Sequence, residues 1–284
     1  MANKFYSEQV VLNWDDLKRK LGTFQSNWAF RGQGDADWGL QTSIERTWPK
    51  TERDIAEQAV LALYHRKAKG LRTNQPPPTD TLMTLAEMQH FGAPTRLQDW
   101  TKSFYVAAYF AFEASRQSKS IAIWAINLSW LKAQAVPKIK KTNAAFVGLT
   151  VRDSLNAPNI FDNVVLKNSE QFVLPVSAFE VNERLGIQQG LFLCPGDVRE
   201  TLEDNLCTAK KADLAKECYK FVVPYKCRAT VLADLRRMNI TAATLFPGLD
   251  GFSRSLNNEL FMLMNDDATL NKLRGGVAGA LNYF

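Results

Sequence analysis

Val11, Leu12, Trp14, Leu17 and Leu21 recur at helical spacing, and Asn13 or Asp15 stands where an N-cap is needed, so a helix is expected over 11–21. Ser26 to Arg31 reads as a strand ending at Gly32, and Gly34-Asp35-Ala36-Asp37 supplies turn residues. Helical spacing begins again at Ile44, breaks near Pro49, and resumes over 53–72 with Ile55, Ala59 and Leu63 as apolar positions. The prolines within 74–80 require a loop. Helices are expected over 82–91, closed by Gly92 and Pro94, and over 102–114, with a strand over 120–128. Short β-like runs follow at 163–167, 171–176, 190–194 and 219–225, then helices at 230–238 and 256–264. Residues 269–284, relatively rich in Gly and Ala, read as a loose tail. Strands and helices mix without a regular βαβ alternation, which predicts an α+β fold. We expect one compact domain over 1–284, with a mixed or antiparallel sheet core flanked by helices. No internal repeat or linker interrupts it, 74–80 and 133–142 being the weakest places.

Composition supports a packed core: 284 residues, 46% hydrophobic and 11% aromatic, with 7 Trp and 17 Phe. The apolar windows 106–112 and 121–126 are far too short to cross a bilayer. The N-terminal residues show no charged segment followed by an apolar one, so no secretory signal and a cytoplasmic location are expected. Cys194, Cys207, Cys218 and Cys227 are widely and irregularly spaced, which argues against both a zinc site and a disulfide framework. The net charge of +6 favours a polyanionic partner, as do the basic clusters of Lys138, Lys140 and Lys141, of 210–211 and of 236–237. The same charge also reads as an ordinary solvated surface.

No phosphate-binding Gly-rich loop, nucleophile elbow or paired-His zinc motif occurs. Of the two histidines, His65 reads as a helix residue among Arg66, Lys67 and Lys69. His90 belongs to Gln89-His90-Phe91-Gly92-Ala93-Pro94-Thr95-Arg96-Leu97-Gln98-Asp99-Trp100-Thr101, a short, dense polar block between two apolar helices. Such blocks are common ligand sites. The block also reads as a structural corner, with Asp99 pairing Arg96, Thr101 capping the following helix and Trp100 in the core.

Phe30-Arg31-Gly32-Gln33 with Trp38, then the block from Gln89 to Thr101 and the following 105–111, resemble the FRG-domain family. Residues 186–192 and 240–251 are similar to its downstream blocks, and the resemblance covers about 25–255. Gln98 departs from the family pattern, where a leucine is usual. More distantly, the order of Phe30-Arg31-Gly32, Asp99-Trp100-Thr101 and Gln188-Gln189-Gly190 is similar to ADP-ribosyltransferases of the Arg-Ser-Glu class. That resemblance implies an ADP-ribosyltransferase-like fold with NAD as substrate and no metal. It implies that Arg31, Gly32, Gln33, Thr95, Arg96, Trp100 and Tyr105 bind NAD, and that Asp99, His90, Thr101 and Gln189 act at the reacting centre. Gln189 stands where the class has its catalytic Glu, and Asp99 is the acid best placed to replace it. The implied role is a toxin-like effector in a toxin-antitoxin or anti-phage system, with RNA the favoured acceptor, a neutralising antitoxin possible and no membrane involved. A non-catalytic nucleotide- or RNA-binding module and a hydrolase using His90 with Asp99 remain open readings.

Overall fold

The structure, a computed structural model, describes residues 4–71, 77–115, 119–150, 158–177, 183–208 and 211–264. Its strands are β1 (Ser7–Val10), β2 (Trp28–Gln33), β3 (Gln98–Thr101), β4 (Ile121–Asn127), β5 (Val173–Val176), β6 (Gly190–Pro195) and β7 (Cys218–Val223). The helices that frame the sheet are α1 (Trp14–Leu21), α2 (Ser43–Thr47), α3 (Arg53–Ala68), α4 (Thr81–His90), α5 (Phe104–Glu113) and α6 (Leu128–Thr142). After them come α7 (Pro158–Asn163), α8 (Glu183–Ile187), α9 (Leu202–Leu206), α10 (Lys211–Glu217), α11 (Arg228–Arg237), α12 (Ala242–Leu245) and α13 (Leu249–Met264). The fold is α+β, built on a seven-stranded mixed sheet in the order β1-β7-β4-β2-β3-β6-β5, with β1 and β7 parallel and the other neighbours antiparallel. Among the described residues no helix is long and apolar enough to cross a membrane.

Strand β4 shows why both faces must be covered. Ile121, Ile123 and Ala125 point into a core shared with α1, α5 and α11, while Ala122, Trp124 and Ile126 point into the opposite one. A strand buried on both faces reads as a continuous apolar run, as Ile-Ala-Ile-Trp-Ala-Ile does. Along its length β2 pairs with β4, from Trp28 opposite Asn127 to Gln33 opposite Ala122. Its other edge meets β3 at one position, Phe30 opposite Thr101, and the two strands part beyond it. Helix α5 lies so close to β2 that a Cβ at Gly32 would sit 1.9 Å from the Ala107 carbonyl oxygen, and one at Gly34 would sit 2.2 Å from that of Ala114. Only glycine fits there.

Several elements differ from the sequence expectation. The segment 98–101, read as loop, is a strand, because β6 pairs with it residue by residue from Gln98–Leu193 to Thr101–Gly190. Residues 163–167 are a helix end and a single 3-10 turn, closed by Asn168 in the left-handed region at φ 52°, although Val164 and Val165 suggest a strand. The stretch 133–142 lies inside α6; its buried stripe of Leu131, Ala135, Val136 and Ile139 is masked in the sequence by Pro137 and the lysines. In α3 the expected apolar face is the outer one: Ile55 and Leu63 are exposed, while Arg53, Ala56 and Glu57 are buried. Residues 269–284 lie outside the described residues, as do 74–76 of the expected loop, while 77–80 are neither helix nor strand.

The double-sided burial of β4 sets an expectation. Trp124→Ala should cost roughly 3–5 kcal/mol in urea unfolding, the range for emptying an aromatic from a packed core. A loss below about 1 kcal/mol would show that the sheet does not depend on this strand.

Candidate functional site

Where β2 and β3 part, a cleft of about 850 Å³ opens. Its floor is formed by Arg31 and Gly32 of β2 and by Asp99 and Thr101 of β3. Gln89 and His90 enter from the end of α4, Phe110 and Glu113 from α5, Arg184 from α8, and Phe246 and Arg254 from the C-terminal helices. Trp38, Gln41 and Arg46 form the remaining rim. Concave sites with apolar walls and a few convergent polar groups are the usual form of ligand pockets.

Arg31 spans the split. Its Nη1 donates a 2.7 Å hydrogen bond to the backbone carbonyl of Asp99, a group the parted ladder leaves without its strand partner. Its Nε is buried with no hydrogen-bond partner among the described residues. Burial lowers the guanidinium below the usual arginine value; Asp99 opposes this and Arg46 adds to it. Arginine nonetheless stays charged at neutral pH. The Asp99 side chain is exposed in the cleft and held from behind: Gln89 Nε2 donates to its Oδ2 at 2.8 Å, while the Thr95 hydroxyl donates to Gln89 Oε1 at 2.6 Å. A carboxylate beside a fixed guanidinium is therefore presented to whatever enters.

His90 lines the cleft, and burial together with Arg184 lowers its imidazole below the usual histidine value, with Glu87 opposing. Glu113 accepts from the Tyr109 hydroxyl at 3.3 Å and from Arg254 Nη2 at 3.2 and 3.3 Å. Phe246 carries two guanidinium groups near its ring, Arg254 at 3.9 Å and Arg184 at 4.3 Å from the centroid. Among the described residues no cluster of three or more His, Cys, Asp or Glu side chains is placed to hold a metal ion.

The structure thus brings Arg31, Gly32, Gln33, His90, Asp99, Trp100 and Thr101 to one cleft. Within it, several side chains serve the fold. Gln33 accepts from Trp124 Nε1 at 2.6 Å and donates to the Gly39 carbonyl at 2.9 Å, fixing the turn that carries Trp38. Thr101 donates to the Gln188 carbonyl at 2.6 Å. The Trp100 side chain is core, only 3% exposed, with Nε1 donating to Gln98 Oε1, so it cannot stack on a ligand.

Four expectations need correcting on placement. Arg96 is 0% exposed and points away from the cleft, pairing with Glu57 rather than Asp99. Its Nε donates to Glu57 Oε1 at 2.7 Å, Nη1 to the Val165 and Pro195 carbonyls, and Nη2 to Glu57 Oε2 and to Asn168 Oδ1 at 3.0 Å. Thr95 is also 0% exposed and reaches the cleft only through Gln89. Tyr105 lies against Trp14 and Phe104, outside the cleft. Gln189 is exposed, holds a left-handed turn at φ 48°, and is likewise outside it; Gln188 faces in instead.

Of the lysines, none lines the cleft. Lys138 is engaged by the Gln171 carbonyl and the Thr208 hydroxyl, while Lys140 is partly and Lys141 fully exposed on α6. The side chains of 210–211 lie outside the described residues, and Arg236 pairs with Glu259. Sequence reasoning passed over Arg46, Glu113, Arg184 and Arg254, whose only signal was three-dimensional, and met Phe246 only within the family-like segment 240–251 without a role.

Compared with known proteins, residues 26–120 match the model of the FRG domain. No curated protein and no solved structure matches the chain.

The network around Arg96 yields a test. Arg96→Met should cost about 3–5 kcal/mol, because it strands a buried carboxylate at Glu57. The double change Arg96→Met with Glu57→Leu should recover part of that loss in denaturant unfolding. Equal losses in the single and double variants would mean the ion pair is not what holds this region.

Proposed function

We propose that this FRG-domain chain binds NAD in the cleft and transfers its ADP-ribose to a nucleic acid, RNA being the favoured acceptor. The observation that supports the reading best is the presence in one cleft of Arg31, bonded to the Asp99 backbone carbonyl and with an unpartnered Nε, and of the exposed Asp99 carboxylate. A guanidinium suits a pyrophosphate, which it can grip through two charge-assisted hydrogen bonds. Trp38, 45% exposed on the rim, is available to stack on a base. NAD supplies a ribose–nicotinamide bond that breaks with its electron pair leaving on nicotinamide, as an acceptor nucleophile bonds to the ribose carbon and gives up a proton.

The chain's own residues do the rest. Arg31 holds negative charge at the base of the cleft. Asp99, kept in place by Gln89 and Thr95, offers negative charge to the developing cation and a site for the acceptor's proton. Arg184 and Glu113 line the same cleft. A protein with this activity consumes NAD and modifies nucleic acid, which suits a toxin-like effector held in check by an antitoxin. A second reading is favoured by Gln189, which is neutral and outside the cleft. In it the cleft binds a nucleotide without breaking it.

Nicotinamide release, followed with and without RNA, separates the two. Arg31→Ala should lower release by roughly 10²–10³-fold, the scale for removing one preorganised charge-stabilising donor. It should leave the melting temperature within a few degrees, because the Asp99 carbonyl it frees faces an open cleft. Asp99→Asn should lower release without weakening NAD binding. Calorimetric NAD binding with no release by the unaltered chain would establish the second reading, and neither binding nor release would end both.

A further inference from the structure

The positive charge of the cleft is divided. Asp99 acts electrostatically on Arg31 and on Arg184, and each of these feels a different second arginine, Arg46 for the first and Arg254 for the second. The cleft thus holds two arginine pairs, Arg31 with Arg46 and Arg184 with Arg254. The Arg31 group sits at the strand split. The Arg184 group is built around Phe246, a ring only 4% exposed that both guanidinium groups approach.

Holding two like charges beside one ring costs repulsion, and the chain offsets only part of it. Arg254 is paired with Glu113 through one nitrogen, Nη2. The side chain of Arg184, half-buried, makes no hydrogen bond or ion pair among the described residues, and its guanidinium lies over the ring of Phe246. Stacking on a ring leaves the in-plane N–H groups of a guanidinium free for an anion. Such an arrangement fits an oxyanion with several acceptors, as a phosphate has.

We infer that Arg184 and Arg254, held by Phe246, form a phosphate subsite for the backbone of a single-stranded nucleic acid, separate from the site at Arg31. The inference rests on the reading that this cleft modifies nucleic acid. A base inside a duplex cannot reach Asp99 between two sheet strands, so the strand must enter unpaired. One phosphate at Arg184 and Arg254 would then bring the neighbouring base into the cleft that holds Asp99, where Trp38 is exposed.

Binding of a fluorescein-labelled single-stranded oligoribonucleotide, measured by anisotropy across a salt series, tests this without requiring catalysis. Changing Arg184 and Arg254 to Gln should weaken binding by about tenfold or more. It should also make the slope of log affinity against log salt shallower by about 1.4, the value for two lost single-strand phosphate contacts. If the double variant does not fold, Arg184→Gln carries the test, since it breaks no hydrogen bond among the described residues. Lys140→Glu with Lys141→Glu should have the smaller effect. Three outcomes would overturn the inference: no oligonucleotide binding by the unaltered chain, loss in the lysine variant but not the arginine variant, or displacement of the oligonucleotide by NAD alone. Oligonucleotide binding that depends on these arginines, in a chain that releases no nicotinamide, would sink the transferase reading and leave the subsite standing.

Discussion

An arginine with no access to water fixes the wall on which the cleft is built. Arg96 stands immediately before Leu97 and β3, and its guanidinium ties together α3 through Glu57, the turn at 165–168 through Val165 and Asn168, and the end of β6 through Pro195. Removing an ion pair of this kind from water is costly, and the geometry repays it only if the remaining donors are satisfied. Here each guanidinium nitrogen has a partner, so the cost is met by hydrogen bonds that no apolar side chain could make to two carbonyls and an amide at once. The consequence is positional. With Arg96 immobilised, β3 runs along β6, and Asp99 emerges on the cleft side while its neighbour Trp100 points into the core of the opposite face.

The second constraint lies on the other side of the cleft. Gly32 and Gly34 admit the backbone of α5 to within contact of β2, which a side chain at either position would prevent. This locks β2 to α5 and to β4, so β2 cannot follow β3 as that strand is drawn toward β6. The two strands share one pairing and separate. Each half of the sheet is thus committed to different neighbours, and the gap between them is a result of packing rather than of a flexible loop. Arg31 caps the carbonyl that the separation exposes, which lets one side chain both close the ladder and face the cavity.

The chain showed much of this in its sequence, and the failures have a common cause. The α+β class, the helix at Asn13 and the buried strand around Trp124 were legible from apolar periodicity, whereas the meeting of Arg31 with His90, Asp99 and Thr101 was expected only from the family resemblance, since nothing in the local pattern links Arg31 to the polar block. The buried face of α3 was misread because its inward residues include Arg53 and Glu57, which a hydrophobic pattern assigns to solvent. Arg96 was misread for the same reason: beside Asp99 it looks like a ligand-binding residue, and only its partner on a distant helix reveals otherwise. Strand β3 looks like loop because four residues with a polar character acquire their conformation from pairing to β6, not from their own propensity.

Charge shows the same contrast between sequence and space. A run of lysines on a helix is spread around the axis, and in α6 Lys138 is drawn into contacts with Gln171 and Thr208 while Lys141 remains on the outside. Arg31, Arg46, Arg184 and Arg254 never approach one another in the sequence, yet they line one cavity with apolar walls. Field lines are focused in such a cavity and screened on an open helix, so a given charge counts for more inside it. The same walls supply Phe246, over whose ring two of the guanidinium groups lie. A basic composition points to an anion as partner. Where that anion is held depends on which cations the fold gathers, and this fold gathers arginines from four separate elements into one cleft.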